Sequence, residues 1–396
     1  MALPCVRLCS RHVTRGLQVC VSPPARGERS DSGPVFQYVG QNKKPSHKVF
    51  VWGFSFTGAL GIPSLVVPDS GRKKPRKYQL TPYHLVGCLW LRLHAHRLAD
   101  QRCDQAVGMG LNKDSQLGFQ RTQDSRREFM DNMGNNAYGQ CGRPIVEDEW
   151  QSHIHRMTGF SSRVTQVACG QDHSLFLTET GTVFACGWGA DGQTGLGHHQ
   201  VSCSPVEVGG DLAGVEVQQI SSYGDCSLAV SKDGDLYGWG NSEYLQLASV
   251  TEATQMNSPR RLPLKGCGKL VQAACGGTQV AALNDKGEVF VWGYGILGKG
   301  PKLSESSTPE MIPSTLFGRS EFNPSVAVTK IRCGLNHFAA VTDRGELFVW
   351  GKNVRGCLGT GKRDDQFFPW RVTVPGQVVD VVCGVDHMVA LVKSLL

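Results

Sequence analysis

The chain has 396 residues, of which 40% are hydrophobic, 19% are charged and 48 are glycine, a turn-rich globular composition without heptads or long apolar periodic stretches. An all-β architecture is favoured, and no uninterrupted apolar run approaches the ~18 to 20 residues of a transmembrane helix, so any membrane association is expected to be peripheral. The net charge of +7 is uneven: residues 1–128 hold 20 Lys/Arg against 8 Asp/Glu, and residues 129–396 hold 21 against 26.

In chain order, residues 1–27 contain no Asp or Glu and intersperse Arg7, Arg11, Arg15 and Arg26 with Leu3, Val6, Leu8, Val13, Leu17 and Val19. This is the pattern of a mitochondrial transit peptide. A secretory signal needs an apolar core of ~7 to 15 residues, which Arg7, Arg11 and Arg15 interrupt. Residues 1–40 are read as an import leader and residues 41–396 as one domain, which places the protein in the mitochondrial matrix. The run Arg72, Lys73, Lys74, Arg76 and Lys77 is a candidate RNA or phosphate contact, although a solvated loop would look the same.

Seven aromatic-or-Met plus Gly pairs then recur: Trp52-Gly53, Met109-Gly110, Met133-Gly134, Trp188-Gly189, Trp239-Gly240, Trp292-Gly293 and Trp350-Gly351. Seven is a propeller number. In six of them the residue eight after the glycine closes a turn, at Gly61, Gly118, Gly142, Gly197, Ala248 and Gly359. The late pairs follow hairpin turns, Asp285-Lys286-Gly287 and Asp343-Arg344-Gly345, in which glycine accepts positive φ. Further upstream lie strands opened by Cys-Gly-x-x-His at Cys169 to His173, Cys333 to His337 and Cys383 to His387, with degenerate copies at Tyr223 and Cys275. The pair glycines are evenly spaced except that Gly110 and Gly134 stand less than half as far apart as any other neighbours, so no complete blade fits between them. Residues 85–107 carry neither strand nor hairpin signature. Residues 83–130 are therefore read as degraded or truncated blades, as a spliced or mis-assembled gene would give.

Glycine-rich matches to nucleotide motifs belong to this repeat. Gly187 to Gly192 and Gly293 to Gly298 fit the dinucleotide fingerprint, but lack the following helix whose N-terminus would hold pyrophosphate. Gly293 to Lys299 and Gly356 to Lys362 lack the Ser or Thr that a phosphate loop needs for magnesium. The fifteen cysteines include no Cys-x-x-Cys pair; Cys169, Cys275, Cys333 and Cys383 recur at one repeat position and read as packing residues. No cofactor and no metal site is expected.

The order Cys-Gly-x-x-His-Ser-Leu, then x-x-Gly-x-Val-Phe, then Trp-Gly-x-x-x-x-Gly-x-Leu-Gly is similar to the repeat of the regulator-of-chromosome-condensation family, over roughly residues 48–392. With its basic leader, the chain resembles mitochondrial members of that family. The resemblance implies an all-β, seven-bladed β-propeller of the regulator-of-chromosome-condensation type, with one or two blades incomplete. It closes where Lys48 to Gly53 and Val378 to Leu391 share a blade. Every Cys-Gly-x-x-His turn then lies on one rim. In the family, acidic and histidine residues of these turns contact a small GTPase; the matching positions are Gln171, Asp172, Asp225, Asn336 and Asp386, beside His173, His337 and His387. The implied function is guanine-nucleotide exchange, without bond chemistry of its own, on a mitochondrial dynamin-related GTPase of inner-membrane fusion. The alternative is assembly of the mitochondrial large ribosomal subunit, through contacts with ribosomal RNA and with rRNA pseudouridylation and assembly proteins.

Overall fold

Short β-rich runs punctuated by glycine turns fold into five four-stranded antiparallel sheets among the described residues. The computed structural model describes residues 47–55, 60, 62, 78–84, 131–132, 136–145 and 155–394, all within the unit Pro45–Leu396. The first blade comprises Val164–Cys169, His173–Thr178, Val183–Gly187 and Ser202–Glu207; the second comprises Val217–Tyr223, Cys226–Ser231, Leu236–Asn241 and Gln255–Arg261. The third comprises Leu270–Cys275, Gln279–Asn284, Val289–Tyr294 and Glu305–Ile312; the fourth comprises Val328–Cys333, His337–Thr342, Leu347–Gly351 and Gln366–Val372. The fifth, closing blade runs in the order Tyr78–His84, His47–Phe54, His387–Lys393, Gln377–Cys383. A two-stranded ladder, Asp131–Asn132 with His155–Arg156, stands apart from these five.

This is a β-propeller, closed by the strands expected from the sequence: His47 pairs with Lys393 and Gly53 with His387. Residues 1–40, the basic run Arg72 to Lys77 and all of the stretch 83–130 read as degraded blades but Tyr83 and His84, which end a strand of the closing blade, lie outside the described residues. Among the described residues no helix is long and apolar enough to cross a membrane.

Second strands such as His173–Thr178, Gln279–Asn284 and His337–Thr342 are buried at every position, because neighbouring blades cover both faces of each sheet. The innermost strands are stapled blade to blade by a glutamine that recurs in the first three. Gln166 donates to Ile220 O (2.7 Å) and accepts from its N–H (3.1 Å). Gln219 does the same with Ala273 (3.0 and 2.9 Å), and Gln272 with Ile331 (3.1 and 3.0 Å). In the fourth blade the place is held by Lys330, which donates to Val379 O (2.8 Å) while Arg332 pairs with Asp380 (3.3 Å). Each glutamine staple satisfies a buried N–H and C=O, worth ~0.5 to 1.5 kcal/mol per bond.

The ladder corrects one of the seven sequence pairs. Gly53, Gly240, Gly293 and Gly351 each lie last or next to last in a third strand, opposite the residue that opens a second strand. In the first blade that place belongs to Gly187, opposite His173, so the pair is Cys186-Gly187 and not Trp188-Gly189. All five glycines have φ between +92° and +119°, and a Cβ at Gly187 would lie 2.5 Å from Asp172 O. The turn eight residues on is accordingly Gly195 rather than Gly197. Gly195 lies under the indole of Trp239, as Gly359 does under Trp52. Cys186 Sγ donates to Gln140 O (3.5 Å) just as Trp239 Nε1 donates to Gln193 O (2.9 Å). Trp188 projects beyond the strand and packs on Tyr138.

One non-glycine residue among those described has positive φ: Leu245, at 66°, in the place that Gly139, Gly192 and Gly356 take in the equivalent loops. The left-handed conformation costs an L-residue roughly 1 to 2 kcal/mol, and glycine returns ~0.5 to 1 kcal/mol of that through its freer unfolded chain. Leu245→Gly is therefore expected to stabilise the protein by ~0.5 to 1 kcal/mol, read as a higher urea midpoint at unchanged slope.

Candidate functional rim

Each Cys-Gly-x-x-His turn joins the first strand of a blade to the second, and its residue before the histidine closes the end of the third strand. The carbonyls of Asp172, Asp225, Thr278, Asn336 and Asp386 accept the N–H of Trp188, Asn241, Tyr294, Lys352 and Phe54 respectively, at 2.8 to 2.9 Å. The five positions are thereby equivalent and share one rim with the loops that follow the third strands. Their backbones are structural, which leaves the side chains free to vary as Asp, Asp, Thr, Asn and Asp.

The structure divides the sequence-predicted residues into two kinds. Gln171 is exposed, and Asp172, Asp225, Asn336 and Asp386 are half-buried at the rim surface. His173 and His337 are each 1% exposed, and their rings lie against Gly170 and Gly334 inside the blade seams. His173 Nε2 bonds the hydroxyls of Ser222 and Ser227 of the next blade, both at 2.9 Å. Burial lowers the pKa of both histidines to about 3, so they are neutral seam residues. His387 is half-buried, and burial lowers its pKa too, against the opposing effect of Asp386.

Two clusters form. At the seam of the first and second blades, Gln193 Nε2 donates to Asp225 Oδ1 (2.9 Å). Burial raises the Asp225 pKa, the Gln193 bond opposes this, and nearby Asp191 and Asp172 add to the rise. At the seam of the fourth and closing blades, Asn336, His337, Lys352, Arg355, Cys357 and Asp386 line a cleft of about 160 Å³. Lys352 and Arg355 are exposed, and the Arg355 guanidinium lies 4.6 Å over the Phe54 ring. Sequence reasoning missed Gln193, Lys352 and Arg355, because they sit in a different loop of the repeat that only the third-strand register brings to this rim. A larger hollow of about 360 Å³ lies at the opposite rim beside Gly234 and Leu262, where Asp235 and Arg261 already pair at 2.7 Å.

The nucleotide-motif matches resolve into repeat structure: Gly293 lies within the strand Val289–Tyr294, and Lys299 Nζ pairs with Glu310 (2.5 Å). Of the four recurrent cysteines, Cys275 and Cys333 are buried, Cys383 is half-buried and Cys169 is exposed. Among the described residues no group of three His, Cys, Asp or Glu could hold a metal.

Five four-stranded antiparallel blades on one plan, the last of which joins His47–Phe54 to His387–Lys393, define a repeat propeller with a polar rim. Two profiles described as the regulator of chromosome condensation (RCC1) repeat match it, one at residues 132–177, 233–283 and 344–391 and the other at 164–193 and 328–357. The chain is 55% identical over 421 residues to the human RCC1-like G exchanging factor-like protein, covering 92% of this chain and 90% of that one. It belongs to the RCC1-repeat family. That alignment is longer than the chain itself, so the relative carries residues with no counterpart here. The crystal structure of human WBSCR16 superposes with a TM-score of 0.79 at 53% identity, covering 89% of this chain and all of that one. Yeast Prp20p superposes with a TM-score of 0.66 at 19% identity, covering 89% and 93%, and shares the fold.

Proposed function

We propose that the protein is a guanine-nucleotide exchange factor that docks a GTPase on the rim carrying Gln171, Asp172, Asp225, Asn336 and Asp386, and that it works in mitochondria on a dynamin-related GTPase of the inner membrane. The observation that carries this reading is the pooling of three carboxylates and an amide at one repeat position of the propeller, where the backbone carbonyls are already committed. The name of the human relative supports exchange, and the acid-free, arginine-bearing stretch at residues 1–27 supports import. Exchange requires no bond chemistry: a surface that binds the nucleotide-free GTPase more tightly than the loaded one shifts the equilibrium toward release. The ribosomal reading rests on Arg72 to Lys77, outside the described residues, and no described feature favours it.

The Asp172→Asn, Asp386→Asn double variant keeps both backbones and removes two charges. Purified protein lacking the leader is expected to accelerate release of labelled GDP from the dynamin-related GTPase. The double variant should be at least about tenfold slower, ~1.4 kcal/mol of lost contact. Equal rates for the two proteins, or no acceleration by either, would defeat the proposal.

A further inference from the structure

The seam between the fourth and closing blades departs from the glutamine pattern of the earlier loops, as does the third blade's loop, where Ile296 stands two residues before the glycine beneath Trp350. At the first seam, Gln193 completes a small circuit: its Nε2 donates to Asp225, its Oε1 accepts the N–H of Asp191 (2.9 Å), and its carbonyl accepts Trp239 Nε1. Gln140 and Gln246 hold the same place in their loops, accepting the N–H of Tyr138 and of Tyr244, both at 2.9 Å. In the loop after the fourth blade's third strand this place is Cys357, two residues before the glycine beneath Trp52 as Gln193 is two before the glycine beneath Trp239. Its thiol turns back to Lys352 O (3.3 Å). Asp386, the counterpart of Asp225, has no side-chain hydrogen bond among the described residues, and neither has the main-chain N–H of Arg355, the counterpart of Asp191.

A second observation falls on the same seam. Cys383 and Met388 stand where Ser222 and Ser227 receive the His173 ring in the second blade, so a thiol and a thioether replace two hydroxyls. His337 Nε2 is buried without a partner, and His337 lines the 160 Å³ cleft. Volume, acceptor and donor that one glutamine satisfies elsewhere are thus all left open at a rim surface flanked by Val354 and Val385, which are 63% and 53% exposed.

We propose that this cleft is a socket for a carboxamide side chain, Asn or Gln, offered by the docked partner and taking the place that Gln193 holds in cis at the first seam. The amide NH2 donates to Asp386 and the amide oxygen accepts from the Arg355 N–H. A cation entering there meets Lys352 and Arg355, and a carboxylate meets Asp386; a neutral group with one donor and one acceptor meets neither repulsion. This deepens the exchange reading by naming what the partner presents at one point of the rim, and it does not depend on nucleotide release.

The test therefore uses no GTPase. Full-chain protein carrying labelled histidine is titrated with N-acetyl-glutamine N-methylamide, and the His337 ring resonances are followed. A saturable shift is expected for the parent protein, and at least a tenfold weaker response for Cys357→Gln, which brings its own amide into the socket. Cys357→Gln should unfold at an equal or higher temperature. Should that variant fail to fold, Asp386→Ala must lose the response instead. No saturable shift in the parent, an equal shift in the variants, or a stronger shift with ethylguanidinium or acetate would overturn the socket. GDP release is measured separately, so failure of exchange and failure of the socket are distinguishable.

Discussion

Replacing Trp239 by alanine is expected to destabilise the protein by ~3 to 5 kcal/mol, the range for truncating a fully buried tryptophan. The indole is 0% exposed, reaches from the second blade into the loop of the first, and packs on Gly195 while its Nε1 donates to Gln193 O. The loss therefore opens a seam as well as a core. The repeat offers an internal control. Trp350 is equally buried and stacks on Phe338 with ring centres 5.0 Å apart, yet its Nε1 has no partner. Trp350→Phe removes an unsatisfied donor, whereas Trp239→Phe breaks a made bond and leaves Gln193 O with the Ser227 hydroxyl alone (2.9 Å), a loss worth ~0.5 to 1.5 kcal/mol. Urea unfolding should place Trp239→Phe below Trp350→Phe by that margin, and identical midpoints would contradict the assignment of the Gln193 bond.

The second large effect is acid sensitivity. His173 and His337 titrate near pH 3 in the folded protein against an ordinary value of 6.5. Below 6.5 the unfolded chain takes up protons that the folded chain refuses, so the stability these residues contribute is complete above 6.5 and is lost as pH falls toward 3. The slope is up to ~1.4 kcal/mol per pH unit for each histidine. Urea midpoints measured from about pH 7.5 down to about pH 5 should fall accordingly. His337→Gln, which copies Gln279 at the same ladder position of the third blade, should roughly halve the slope. An unchanged profile in that variant would show that other groups carry the acid response.

Much of this architecture was legible because propeller blades are local: hairpin turns such as Asp343-Arg344-Gly345 and strands such as Val289 to Trp292 declare themselves within a short stretch of chain. Even the closing strands could be picked out, since their signatures matched the repeat. The register of the first blade could not. Trp188 imitates the pair residue so well that only hydrogen bonding to His173 shows Cys186 in its place. The rim carboxylates were found through the turn motif, but the histidines beside them share that motif and point inward, a distinction made by φ/ψ and seam packing rather than by residue type. Gln166, Gln219 and Gln272 recur at one constant interval, a signal present in the sequence and overlooked because a polar residue in an inner strand reads as solvent-facing. Cys357 became informative only once the loop register showed which glutamine it replaces.

The pairing of His47 with Lys393 has a consequence for how the protein comes into being. The four consecutive blades from residue 164 onward draw on neighbouring sequence and can form as each hairpin emerges, whereas the closing sheet needs strands from near both limits of the unit. Until then His47–Phe54, paired on one side with Tyr78–His84, presents one open hydrogen-bonding edge, and such a long-range contact is the slow kind. A chain threaded through a narrow opening, first residue leading, would hold that edge unsatisfied for nearly the whole passage. Biogenesis, more than final stability, is then the stage at which the protein most needs a chaperone.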